Sequence, residues 1–318
     1  MLHCYGGPLL SSLKFYINTS PIVFGGVQRS FSEAFFVVLG FPFDSTSSYH
    51  PGARFGPLAI REASLNIETW SWRAGMDFED LGCHDLGDLV IVLGDVHETL
   101  RRAQEVLEDL YTARKIPIVL GGEHTITLAS AKAQRNAALI CFDAHFDLRN
   151  EYLSQRVSHA TVMRRVLEVV NPEFMYWIGV RATCREEQEL LRSRKLNYMT
   201  PWDLRKLGVL EAARKVKEKI KEASKVFISV DVDVLDPAYA PDVGNPEPEG
   251  LTPSELLDML KMLVDAKVIG ADIVEVAPIG GRGLSAIQAA KIACELCCLI
   301  YRAKTSLTTA GRTFMKTR

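Results

Sequence analysis

The chain has 318 residues, of which 47% are hydrophobic, 8% aromatic and 24% charged. This composition excludes collagen-like and low-complexity chains and supplies enough apolar side chain for a sizeable core. Lys+Arg 37 against Asp+Glu 39 leaves a net charge of −2, so there is no bulk electrostatic drive toward nucleic acid or an anionic membrane. No uninterrupted apolar run reaches the roughly 18 residues of a membrane-spanning helix. The N-terminus lacks the basic segment and apolar run of a signal peptide. Seven cysteines, odd in number and irregularly spread, do not form a disulfide framework and suit a reducing, cytoplasmic compartment.

Residues 1–34 are the least readable part and are expected to be an N-terminal extension that wraps the sheet edge or a neighbour. From there, short apolar runs alternate with helical patterns. FFVVLGF (35–41) reads as a strand buried on both faces, and 52–64 as turn residues leading into a helix. Residues 95–115 place Val96, Leu100, Ala103, Val106, Leu107 and Leu110 on one helix face. IPIVL (116–120) is a strand, 126–134 a helix, AALICF (137–142) a strand, 161–170 a helix and FMYWIGV (174–180) a strand. Residues 201–224 are helical, in two pieces around Gly208. VFISV (226–230) is a strand, 252–266 a helix begun by Thr252 and Pro253, 268–276 a strand and 284–303 a helix. The expectation is one α/β domain over 35–303, three-layer α/β/α with a central parallel sheet, and a polar tail at 304–318.

In such sheets the active site lies beyond the C-terminal ends of the strands. Three exits are conspicuous: 116–120 into Gly121-Gly122-Glu123-His124, 137–142 into Asp143-Ala144-His145-Phe146-Asp147, and 226–230 into Asp231-Val232-Asp233. On extended backbone, side chains two residues apart share a face, so Asp143, His145 and Asp147 can converge, as can Asp231 and Asp233. Taken singly, a D-x-H-x-D is a solvated turn and a D-x-D a helix cap or a nucleotide-linked Mg²⁺ site. Together they bring four carboxylates and two imidazoles to one sheet edge, where unpaired charges repel and metal cations are the simplest remedy. Six ligands exceed one tetrahedral site and fit two metals with bridging carboxylates. Oxygen and imidazole donors suit Mn, Fe or Zn, and the carboxylate majority favours Mn²⁺. Cys294, Cys297 and Cys298 read as small buried hydrophobes on an apolar helix, with Met259 and Met262 as further core residues.

G-G-E-H, D-A-H-F-D, S-H-A-T (158–161), S-V-D-V-D-V-L-D-P (229–237) and E-V-A-P (275–278) resemble, in order and spacing, the ureohydrolases: arginase, agmatinase and their relatives. The resemblance covers about residues 35–303. It implies a dinuclear Mn²⁺ hydrolase that cleaves a guanidinium group to urea and an amine through a hydroxide bridging the two metals. Carried over by motif, His124 and Asp147 bind one manganese, His145 and Asp233 the other, and Asp143 and Asp231 bridge. His159 handles protons and Glu275 grips the guanidinium. The resemblance also implies a homo-oligomer, trimer or hexamer. The chain departs from the family at Glu123 (usually Asp), Thr125, Ala160 (commonly Gly), Asp242, Asn245 and the stretch Ile279-Gly280-Gly281-Arg282, none of which removes a ligand.

The segment 48–61 and the loop 148–157 resemble the agmatinase branch, and the loop lacks the arginase run that holds an α-carboxylate. The expected substrate is therefore agmatine, cleaved to putrescine and urea, with Glu151 as partner for its amine. Arginase, guanidinobutyrase and formimidoylglutamase are the alternatives, for which Arg149, Arg156 or Arg282 offers a cation. A catalytically silent metal-binding member is the alternative of a different class. No nucleic acid or membrane partner is expected.

Overall fold

The computed structural model describes residues 11–278, 280 and 283–315. A nine-stranded sheet organises them. Its strands are β1 (Ile17–Asn18), β2 (Phe36–Phe41), β3 (Cys83–Leu89), β4 (Ile116–Gly121), β5 (Ala138–Phe142), β6 (Met175–Ile178), β7 (Asn197–Met199), β8 (Val226–Asp231) and β9 (Val268–Val274). Their spatial order is β1-β3-β2-β4-β9-β8-β5-β6-β7. Every pairing is parallel except β1 with β3. The four strands β4, β9, β8 and β5 are thus consecutive at the centre, and their C-terminal ends face the same way.

The principal helices are α1 (Gly56–Ser64), α2 (Val96–Thr112), α3 (Ile126–Ala133), α4 (Val162–Val166), α5 (Arg185–Arg194), α6 (Pro201–Leu207), α7 (Val209–Lys219), α8 (Pro253–Leu263) and α9 (Leu284–Met315). They cover both faces of the sheet. Strand residues alternate between the two sides, as the period of two requires. Val38, Ile118, Ile140, Ile228 and Ile273 pack with residues of α1, α7, α8 and α9. Val37, Val119, Leu139 and Phe227 pack with α2, α3 and α4. This is the expected three-layer α/β/α architecture. Thr252 caps α8 by accepting the Glu255 N–H at 3.1 Å, with Pro253 in the first turn. Gly208 separates α6 from α7, as the sequence pattern predicts.

Several differences from the sequence reading have physical causes. Strand β3 reads CHDLGDL and lacks an apolar run. Its Asp85 is buried because it pairs with the fully buried Arg61 of α1. Arg61 Nε and Nη2 lie 2.8 and 2.9 Å from the two Asp85 oxygens, and Nη1 lies 2.6 Å from Asp88 Oδ1. Paired and hydrogen-bonded in this way, the charges are tolerated inside the fold. The 161–170 helix is shorter, a single 3₁₀ turn at His159–Thr161 followed by α4. Helix α9 runs past residue 303 to Met315, with no proline to stop it. Its segment Leu284–Ser306, with mean hydropathy 1.5, is long and apolar enough to cross a membrane by composition, although Lys291 and Glu295 break the run in the sequence. Most of that segment is buried, and Cys294, Cys297 and Cys298 lie in the core as expected. Residues 1–10, Ile279, Gly281, Arg282 and 316–318, including the start of the expected extension, the offered Arg282 cation and the end of the tail, lie outside the described residues.

Candidate active site

His124 stands three residues past β4, and Gly121-Gly122 make that turn possible. A Cβ at Gly122 would sit 2.0 Å from the Phe43 carbonyl oxygen, so no side chain fits there. Asp143, His145 and Asp147 come after β5, but not on extended backbone. The His145 N–H folds back onto Asp143 Oδ1 at 2.6 Å, and Asp147 adopts a left-handed φ of 52°. The Asp233 N–H likewise bonds Asp231 Oδ1 at 2.9 Å, within a 3₁₀ turn. The expectation of period-two alternation is corrected here: tight turns closed by the aspartates themselves bring the carboxylates together.

The result is a buried cluster. His124 Nδ1 lies 3.0 Å from Asp147 Oδ2, 3.2 Å from Asp143 Oδ2 and 3.4 Å from Asp231 Oδ2. Yet this fully buried nitrogen makes no hydrogen bond. On the other side of the ring, Nε2 lies 3.0 Å from Ser229 Oγ, next to Thr127, whose hydroxyl donates to Asp272 at 2.9 Å. A donor chain ending on a carboxylate puts the ring hydrogen on Nε2 and leaves Nδ1 as a lone pair aimed among three carboxylates. His145 Nδ1 lies 2.9 Å from Asp233 Oδ2 and 3.7 Å from Asp143 Oδ1. Asp143 therefore turns one oxygen to each histidine. An imidazole lone pair among carboxylate oxygens is a donor set that could hold a divalent cation, and the structure brings all six sequence-derived ligand candidates together here.

The charges respond accordingly. Burial disfavours ionised carboxylates and, with Asp143 alongside, pushes Asp147 up to about 7. Burial, reinforced by Asp233 and Asp143, raises Asp231 as well. Burial also opposes charge on His124 and His145, but the surrounding carboxylates override it and raise both rings. Cys141 Sγ lies beside His124 and Asp143. Burial pushes its thiol well up, which keeps it protonated and a poor ligand at neutral pH.

A cavity of about 400 Å³ opens over this cluster, lined by His145, Asp147, Asp231, Asp233, His159 and Glu275 among others. Glu275 lies just past β9 in a left-handed conformation, φ 66°. Its N–H donates to the Gly122 carbonyl and its Oε1 accepts the His124 N–H, both at 2.8 Å. A Cβ at Gly244 would come 2.7 Å from Oε2, so that glycine leaves space for the second carboxylate oxygen. Burial, with Glu123 nearby, raises the Glu275 carboxyl. His159 is buried between Thr46 and Ser48. Burial, with the His145 ring second, lowers it to about 4, so it is neutral at pH 7.

Glu151 is not among the residues that line this cavity. The chain turns at Leu153 and Ser154, both at positive φ, and Tyr152 pairs with Gln155, which leaves Glu151 exposed and off the cavity wall. Arg149, with its guanidinium over the Tyr152 ring at 5.0 Å, lines the cavity instead, as does Glu247. Arg156 is exposed and off the wall. Arg181 also lines the cavity, but its donors go to the carbonyls of Asp233, Glu247 and Pro248, which pins two loops together. Thr46 and Ser48 escaped the sequence reading. The rule that picked out the six ligand candidates, inspection of the segment just past each strand end, also points to them after β2.

A mostly parallel sheet between two helix layers, with an acid–imidazole cluster at four adjacent strand ends, is the α/β/α architecture in which active sites lie beyond the strand C-termini. The arginase family model matches residues 34–298, and the chain belongs to that family, the ureohydrolases. Within it the chain is most like the agmatinases. It is 39% identical to an agmatinase of Bacillus anthracis over 81% of this chain and 88% of the relative. It is also 39% identical to the N(1)-aminopropylagmatine ureohydrolase of Thermococcus kodakarensis, over 82% and 88%. The structure of the agmatine ureohydrolase of Thermoplasma volcanium superposes with a TM-score of 0.82 at 34% identity, covering 91% of this chain and 97% of that one.

Proposed function

We propose that the chain hydrolyses the guanidinium group of agmatine to putrescine and urea with two Mn²⁺ ions. The observation that carries this reading is the pair of imidazole Nδ1 atoms, each within 2.9–3.4 Å of carboxylate oxygens, under a cavity that also holds Glu275 and His159. His124 and Asp147 would hold one ion and His145 and Asp233 the other, with Asp143 and Asp231 as donors available to both. Bound there, the ions supply Lewis acidity that lowers the pKa of a water from about 15.7 toward about 7.

The protein's own groups do the rest. Glu275 presents a carboxylate to the planar fork of the guanidinium and orients its carbon toward the cluster. Water adds its oxygen to that carbon, and the bond to the alkyl nitrogen breaks. Both protons of the water end on the departing amine, which leaves as an ammonium while urea retains four N–H hydrogens. His159, neutral at pH 7, accepts one proton and delivers it to the amine. Glu247 on the cavity wall supports a substrate with a cationic far end, the role first expected of Glu151. The same reading includes a homo-oligomer, trimer or hexamer, in the cytoplasm, and the free buried cysteines support a reducing compartment.

Arg149 favours a second reading, a guanidino acid such as 4-guanidinobutyrate, because among the described residues it contacts the cavity without a carboxylate partner. Comparing kcat/KM for agmatine, 4-guanidinobutyrate and L-arginine, each measured by urea release, separates the two. Agmatine is expected to lead by roughly 10²-fold, the scale set by an unpaired buried carboxylate. A lead for 4-guanidinobutyrate that Arg149→Ala removes would establish the second reading.

A further inference from the structure

Thr46 stands in the loop after β2, and Asp44 holds that loop closed through the Gly52 N–H at 2.9 Å and Arg54 Nε at 2.5 Å. Thr46 faces Glu123 on one side and His159 on the other. Its N–H donates to Glu123 Oε2 at 2.8 Å and its hydroxyl to Glu123 Oε1 at 2.7 Å. Glu123 accepts a third bond from the Thr125 hydroxyl at 3.0 Å. Three donors converge on this buried side chain, and each uses it as an acceptor.

A hydroxyl has one proton and two lone pairs. The Thr46 proton is committed to Glu123, so toward His159 the oxygen can only accept. It accepts the His159 backbone N–H at 3.0 Å and lies 3.3 Å from Nδ1. The second lone pair is therefore matched only if Nδ1 carries a hydrogen. Nε2 then keeps its lone pair, 3.1 Å from the hydroxyl of Ser48, a residue of the cavity wall.

We propose that the Glu123–Thr46 pair sets the tautomer of His159, holding the neutral ring as Nδ1–H so that Nε2 is the atom that exchanges protons with substrate. Thr46 and Glu123 are positioning residues that act through His159, and the inference rests on the proton-handling role given to that histidine above. In the reaction Nε2 accepts one proton originating in the attacking water, the ring becomes an imidazolium, and the same proton passes from Nε2 to the amine nitrogen as the C–N bond breaks. The Nδ1 hydrogen stays in place throughout. The inserted hydroxyl also has a physical purpose. A carboxylate in direct contact with the ring would favour its cationic form and leave no lone pair for the first transfer. One hydroxyl of separation keeps the orientation and weakens the charge effect.

The test is a set of manganese-loaded variants assayed for kcat, KM and metal content: Thr46→Val, Thr46→Ser and Glu123→Gln, with Thr46→Val repeated in a His159→Ala background. Thr46→Val keeps the shape and loses the hydroxyl, so kcat is expected to fall by roughly 10–10²-fold, with KM and manganese content unchanged, since a misassigned tautomer costs up to about 10⁴ in other enzymes. Thr46→Ser restores kcat to within about threefold. Glu123→Gln can donate its amide N–H to Thr46 and release the Thr46 proton toward Nδ1, so it falls like Thr46→Val. In the His159→Ala background, Thr46→Val is expected to cost less than about twofold, the coupling of two residues that act as one. Equal losses in both backgrounds, an unchanged kcat for Thr46→Val, or failure of serine to rescue would overturn the inference while leaving His159 in its role. A His159→Ala enzyme with normal kcat would overturn that role itself and the inference with it.

Discussion

Asp143→Asn is expected to deprive the protein of both metal ions at once. Asp143 Oδ2 faces His124 at 3.2 Å and Oδ1 faces His145 at 3.7 Å, so the carboxylate stands between the two halves of the cluster. Asparagine offers one oxygen and an amide that carries hydrogens. One half loses its oxygen donor, and the N–H group points where a cation belongs. The lost negative charge weakens both halves together. Manganese affinity should fall by about 10²-fold or more at each position, above the 10–100-fold that changes one layer further out produce. Asp147→Asn and Asp233→Asn are expected to be selective, the first on the His124 side and the second on the His145 side. Metal analysis after manganese loading and dialysis reads all three. An Asp143→Asn protein that retains one full equivalent would mean that Asp143 serves a single ion.

His159→Ala is expected to lower kcat by roughly 10²–10⁴ while KM and manganese content hold. The two roles separate because of where the ring sits. Its hydrogen-bond partners are Thr46 and Ser48, and no carboxylate of the cluster is within hydrogen-bonding distance of it. Removing the ring is therefore expected to leave the six proposed ligands in place and to take away only the proposed proton carrier. Burial together with the His145 ring lowers His159 to about 4, which favours a neutral ring at pH 7, the form the proposed role requires. Single-turnover urea formation at saturating agmatine measures the step directly. Loss of manganese in the variant would identify His159 as a ligand and refute the assignment.

The layers of the fold were legible because β2, β4, β5, β8 and β9 are buried on both faces and read as apolar runs. Strand β3 was hidden because it carries Asp85 and Asp88, whose partners, the distant Arg61 and the Phe24 N–H among them, no local pattern reveals. Helix α5, REEQELLRSR, buries only Glu187 and Leu191, and so shows no apolar stripe to a periodicity search. Within the candidate site, His124, Asp143, His145, Asp147, Asp231 and Asp233 stand out just beyond strand ends, whereas His159 and Glu275 are singled out only by the S-H-A-T and E-V-A-P motifs of the family resemblance. The strand order then puts β4, β9, β8 and β5 side by side, a fact of topology that no local pattern carries. The exposed position of Glu151 was not legible because the side on which a loop residue projects depends on the local backbone dihedrals, here with positive φ at Leu153 and Ser154. Thr46 and Ser48 were missed because hydroxyls after a strand look like ordinary turn residues until Glu123 and His159 are seen beside them.

Hydrolysis of a guanidinium at this cluster and cavity, as proposed, requires bound metal. The most direct measurement is the yield of urea and of amine from agmatine, with the purified chain stripped of metal and then reloaded with Mn²⁺. Equimolar urea and putrescine are expected, absent from the stripped protein and restored as manganese binding approaches two equivalents per chain. A reloaded protein that holds its manganese and releases no urea from agmatine, L-arginine or 4-guanidinobutyrate would contradict it.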